Sequence, residues 1–122
     1  MLIRYKKAME KIAMGLLSFM PEHKEIKKLM DTMQIYDQHD DWQLYLWKKD
    51  DEYVGAIGVR MEDNTAVIQH ITVIPSYRGE GVGKEMVSEL CDLEDIEHVR
   101  GINEVQPFVQ KCMKLLKEES TL

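Results

Sequence analysis

Apolar positions recur at helical spacing in the N-terminal part of the chain and then give way, after Asp41, to runs that read as strands. Met9, Ile12, Ala13, Leu16, Leu17 and Met20 form one stripe and predict a helix from about Lys6 to Met20, with Gly15 as its weak point. A short strand, Leu2 to Tyr5, precedes it. Pro21 sits where a missing N–H does no harm, so it predicts the start of a second helix with Ile26, Leu29, Met30 and Met33 on the buried face. The polar stretch Asp37 to Asp41 ends the helical region. Three strand-like runs follow, Trp42 to Lys48, Tyr53 to Arg60 and Thr65 to Ile74, joined by the polar connections Lys49 to Glu52 and Glu62 to Asn64. Connections this short favour antiparallel neighbours, hence a meander. Trp42 and Trp47 are an odd number of residues apart in one strand and should point to opposite faces.

Beyond the third run the period changes again. Val82, Met86, Leu90 and Leu93 mark one face of a helix from Val82 to Leu93, and a short strand around His98 to Ile102 follows it. A strand reached through a crossover helix should lie parallel to the one before it. Phe108 to Lys117, with Pro107 at its start, predicts a last helix, and the tail Glu118 to Leu122 is expected to fray. The pattern is that of an α+β fold with a mixed sheet: an antiparallel meander plus one parallel strand.

Composition adds bounds. The 122 residues make a single domain, and 44% hydrophobic with 31% charged residues is ordinary for a globular protein. A net charge of −6 argues against nonspecific nucleic-acid binding and leans towards a cationic or neutral partner. No apolar run approaches a membrane span and the N-terminus lacks a signal-peptide pattern, so a cytoplasmic protein without membrane attachment is expected. Cys91 and Cys112 lie in helical patterns without neighbours at metal-ligand spacing and read as buried thiols; no metal is expected. His39, among the acidic residues Asp37 to Asp41, reads as part of a solvated turn.

The candidate chemistry lies between the third strand and its helix. Gly79, Gly81 and Gly83 alternate there, bracketed by Arg78 and Lys84. Helix-start amides lack internal partners and carry partial positive charge, and residues without Cβ let an anion approach the backbone. Glu80 must point its carboxylate away from any bound phosphate. A nucleotide-triphosphate loop would need glycine at 78 and Ser or Thr at 85, where the chain has Arg78 and Glu85. A dinucleotide fingerprint from Gly79 would need glycine where Lys84 stands.

What the residues do match is Arg-x-x-Gly-x-Gly (Arg78, Gly81, Gly83) directly after Val-x-Pro (Val73, Pro75), which resembles the signature of the GNAT N-acetyltransferase superfamily. The resemblance covers nearly the whole chain, with the family's usual C-terminal hairpin of two strands missing. It implies acetyl-coenzyme A as donor, with Arg78, Gly79, Glu80, Gly81, Val82, Gly83 and Lys84 around the pyrophosphate, Ile71, Thr72 and Val73 along the pantetheine arm, and the Val73 amide polarising the thioester carbonyl. Asn103 matches the family's asparagine before the last helix, a pantetheine contact or an N-cap. For the general base, His98 occupies a penultimate-strand position and His70 is a second candidate. The tyrosine that serves the family as acid is replaced, at the matching place, by Gln110, and Cys112 reads as packing. The acceptor implied is a small-molecule or protein amine, which the carboxylates of Asp37 to Asp41 could attract. The missing hairpin would favour a homodimer. The chain also resembles short acetyltransferase-like proteins of bacterial riboflavin operons, which would imply a link to riboflavin metabolism. The alternative function is a coenzyme A-binding sensor or interaction module without turnover.

Overall fold

The computed structural model describes residues 1–120 and shows an α+β fold around one five-stranded sheet, in the order β1-β2-β3-β4-β5. The strands are β1 (Leu2–Arg4), β2 (Trp42–Lys49), β3 (Glu52–Glu62), β4 (Thr65–Val73) and β5 (His98–Gly101). The helices are α1 (Glu10–Leu17), α2 (Ile26–Gln38), α3 (Val82–Cys91) and α4 (Gln106–Ser120). β1 to β4 pair antiparallel and β4 pairs parallel with β5, as the short connections and the crossover helix require. Asp50 and Asp51 turn the β2–β3 hairpin with φ of 53° and 62°, the left-handed values of a two-residue turn. Among the described residues no strand follows α4, and no helix is long and apolar enough to cross a membrane.

Each sheet face has its own core. Leu44, Leu46 and Ala56 pack with Ala13, Leu16 and Leu17 of α1 and Leu29, Met33 and Tyr36 of α2. On the other face Tyr45, Trp47, Ile57, Val59 and Ile68 meet Val82, Met86, Val87 and Leu90 of α3 and Val109 and Cys112 of α4. Trp42 belongs to the first cluster and Trp47 to the second, on opposite faces as their spacing predicts.

Several expectations are corrected. Pro21 opens a 3₁₀ turn (Pro21–His23) rather than the helix, which starts at Ile26. The buried stripe of α2 runs Leu29, Met33, Tyr36, and Ile26 and Met30 are 70% and 54% exposed. Ile12 of α1 also faces solvent. Cys112 is buried but Cys91 only partly so. The last helix begins earlier than Phe108 and continues through Ser120, past the predicted fray point, while Thr121 and Leu122 lie outside the described residues.

The detail that shapes the site is a β-bulge. Gly58 pairs with His70 but Val59 pairs with Ile68, so Gln69 is an extra residue in β4. The Gln69 side chain donates to Val67 O at 3.1 Å across this point. Ile68 faces β5, its carbonyl accepting the Ile102 N–H at 3.1 Å, and the pairing of β4 with β5 ends at Ile68. After the bulge the phase of the backbone is reversed. The Ile74 N–H donates to Val54 O of β3 at 2.9 Å, and amide direction alternates along a strand, so Ile71 and Val73 turn theirs to the edge that β5 has left.

Candidate active site

The glycine loop closes the open edge at one end. Gly79 and Gly81 adopt φ of 84° and 83°, left-handed values that suit residues without Cβ, and Gly81 is the N-cap of α3. Glu85 donates its N–H to Gly81 O at 3.0 Å, so the amides of Val82, Gly83 and Lys84 precede the first intrahelical bond. Ideal Cβ atoms at Gly79 and Gly81 would meet nothing within 4 Å: the loop faces open space. At Gly83 the opposite holds, since a Cβ would lie 2.7 Å from the Phe108 ring of α4.

A cleft runs from this loop along the open edge of β4. It comprises adjoining cavities that share walls. The first, of about 400 Å³, lies between Arg78, Gly79, Gly81, Gly83 and Lys84 on one side and Phe108 and Lys111 of α4 on the other. The next, of about 360 Å³, runs between Ile71, Thr72, Val73 and Phe108 and the Phe19-Met20-Pro21 turn. The last, of about 480 Å³, opens at the β4–β5 split between Ile71, Ile102, Val105 and Phe108, with Glu22, Gln69 and Glu104 as its polar wall. Phe108 lines all three. It is 40% exposed and forms the cleft wall.

Charge is graded along the cleft. Arg78, Lys84 and Lys111 surround the loop end, and the split end carries Glu22 and Glu104 with no Lys or Arg in its lining. Arg78 Nε donates to Val73 O at 2.9 Å, tying the loop to the end of β4. Glu80 lies 3.7 Å from Lys49 and is absent from the cavity wall, turned away from the loop amides as phosphate binding there would need. Lys84 pairs with Glu119 of α4, a contact that raises its pKa.

The expected residues do not all converge here. Ile71, Thr72, Val73, Arg78, Gly79, Gly81, Val82, Gly83 and Lys84 all line the cleft. His98 does not reach it: it pairs with Thr65 at the far end of β4, roughly 25 Å along the strand from Val73. Asn103 is exposed in the turn before α4, outside the lining, and it is Gln106 whose side chain accepts the Gly101 N–H at 2.6 Å. Gln110 points to solvent rather than into the cleft. The Asp37 to Asp41 stretch leads into Trp42, which pairs with Arg60, away from the loop. Burial raises the Cys112 pKa, consistent with packing.

His70 has a different neighbourhood. Its Nδ1 lies 2.5 Å from Tyr36 Oη, and its ring lies 5.1 Å from that of His23. His23 is itself bonded to Leu17 O at 3.0 Å and Thr32 Oγ1 at 2.9 Å. Burial, and then the neighbouring His23, hold the His70 pKa down to about 4, so the ring is neutral near pH 7. Among the described residues no group of His, Cys, Asp and Glu could hold a metal ion.

The overall fold is shared with solved acetyltransferases. The chain aligns with aminoglycoside acetyltransferase AAC(6')-Iy in complex with a bisubstrate analogue at a TM-score of 0.68 and 17% identity, over 91% of this chain and 86% of that one. It aligns with a possible acetyltransferase of Clostridium difficile 630 at 0.69 and 15%, over 93% and 88%. Sequence narrows the class to a family. The chain matches the acetyltransferase (GNAT) family over residues 10–112 and belongs to it. It is also 49% identical over 113 residues to an uncharacterized N-acetyltransferase in the lysA 3' region of Bacillus methanolicus, across 92% of this chain and 94% of that one.

Proposed function

We propose that this protein transfers an acetyl group from acetyl-coenzyme A to a primary amine. The observation that carries this reading is the continuity of the cleft. An anion-binding loop at one end leads along an unpaired strand edge, whose Ile71 and Val73 amides face inward, to a split with acidic polar groups. The AAC(6')-Iy structures are complexes with coenzyme A or a coenzyme A analogue, which supports the same donor here.

In this arrangement the loop amides, with Arg78, Lys84 and Lys111, hold the pyrophosphate, and the β4 edge hydrogen-bonds the pantetheine arm. The amine nitrogen attacks the thioester carbon, the carbonyl oxygen takes up charge facing the Val73 N–H, and the C–S bond breaks. The electron pair of the broken C–S bond leaves on the sulfur as the coenzyme A thiolate, a far better leaving group than an alkoxide. Glu22 and Glu104 at the split attract the cationic amine and are the carboxylates within that cavity to take its proton. The acceptor is therefore a cation, either a small molecule or a protein amine. A link to riboflavin metabolism rests only on the likeness to short riboflavin-operon proteins.

One observation favours the second reading, a coenzyme A-binding module without turnover. The side chain that α4 presents to all three cavities is Phe108, which cannot donate a proton. Mixing the protein with acetyl-coenzyme A and a panel of amines and following free thiol separates the two. Thiol release that depends on amine supports the transferase; saturable binding with no release from any amine would leave the binding module.

A further inference from the structure

The bulge in β4 needs something to hold it, because an extra residue in an antiparallel pair can be expelled by a shift of register. The structure supplies a contact on the α2 side. Tyr36 lies with its hydroxyl directly over Gly58, so close that a Cβ there would sit 1.9 Å from Tyr36 Oη. From that position Tyr36 meets His70 Nδ1 at 2.5 Å, and Gly58 and His70 are the last paired residues before the bulge. Tyr36 is 7% exposed, its ring braced edge-on against Trp42 at 5.6 Å between centroids. His70 is braced from the other side by His23, which is fixed to Leu17 O and Thr32. Both members are neutral near pH 7: burial pushes the Tyr36 phenol up and the His70 imidazole down.

We propose that Tyr36 and His70 are positioning residues: their contact across Gly58 clamps the β4 bulge, and the bulge aims the Ile71 and Val73 amides into the cleft. If the bulge were lost by a register shift that drew Gln69 into the ladder as an ordinary residue, strand alternation would turn those two amides towards β3 and leave the cleft edge without them. Neither Tyr36 nor His70 lines the cleft. The clamp acts through the backbone of β4, and for the thioester carbonyl it rests on the acetyl-coenzyme A reading above.

The test is the carbonyl stretch of acetyl-coenzyme A, labelled with carbon-13 at the acetyl carbonyl, when bound to wild type and to Tyr36→Phe. Phenylalanine keeps the ring and removes the hydroxyl, and a thermal melt checks that the variant is folded. In wild type the amide should shift the stretch to lower frequency. Tyr36→Phe should lose at least about half of that shift while its affinity changes less than about threefold, since the loop that holds the phosphates is untouched. His70→Leu should behave like Tyr36→Phe. His70→Asn, which retains a polar atom near the Nδ1 position, should recover the shift. An unchanged stretch in a folded Tyr36→Phe overturns the proposal. If wild type binds no acetyl-coenzyme A, the donor-site reading fails, and the clamp is judged on the free protein: amide resonances of Ile71 and Val73 that move in Tyr36→Phe support it, and unmoved resonances overturn it.

Discussion

Burial beside His23 leaves His70 a poor proton acceptor in the folded chain, and that has a consequence for stability. The unfolded ring titrates at its ordinary 6.5 and the folded one at about 4, so between these values the unfolded state binds more protons. Stability from this group is full above about pH 6.5 and is lost as the pH falls through about 4, up to roughly 3 kcal/mol. Melting curves of wild type and His70→Asn should diverge less at about pH 4.5 than at about pH 7.5; parallel profiles would contradict the assignment. Two glycines make a second pair of opposites. Gly58→Ala must displace the buried Tyr36 and should cost roughly 2–4 kcal/mol. Gly15→Ala, inside α1 with nothing within 4 Å of its Cβ, should stabilise by roughly 0.5–1 kcal/mol in urea unfolding. The sequence distinguished the glycines of the loop, because their spacing beside Arg78 is a pattern. It could not distinguish Gly58, whose requirement comes from Tyr36, a residue remote in sequence.

At the scale of elements, periodicity located every helix and strand but not every face. On α2, Leu29 and Met33 lie on the buried face as predicted, but Ile26 and Met30 do not, and Tyr36 completes the stripe one turn further on. The bulge was invisible because Gln69 and His70 are both polar and break the alternation that would have fixed the register. The register of β5 was equally hidden. A crossover helix dictates that the strand is parallel but not where pairing begins, and pairing of His98 with Thr65 removes that histidine from the site. Helix α4 was located from its pattern, but its contribution of Phe108 to the cleft was not legible there. Phe108→Ala should therefore weaken acetyl-coenzyme A binding by about tenfold. Met113→Ala, on the same helix and almost equally exposed (39% against 40%) but lining a different cavity, should leave affinity unchanged. Equal effects in a calorimetric titration would argue that α4 acts only by general stability.

For the whole molecule, a sheet with helices on both faces is split at one edge by the early end of β5, and the split meets the N-terminus of α3. The loop residues were legible because anion binding by backbone demands glycines in a recognisable order. The split end was not, because Glu22, Gln69 and Glu104 come from separate segments that only the fold assembles. The most direct test of the donor site is titration of acetyl-coenzyme A into wild type and Gly81→Glu. Gly81 has φ of 83° and open space at its Cβ, so the substitution strains the N-cap and places a carboxylate among the helix-start amides. Saturable single-site binding by wild type, abolished in a folded Gly81→Glu, is the expected result. Equal binding by both proteins would contradict the assignment of the cleft.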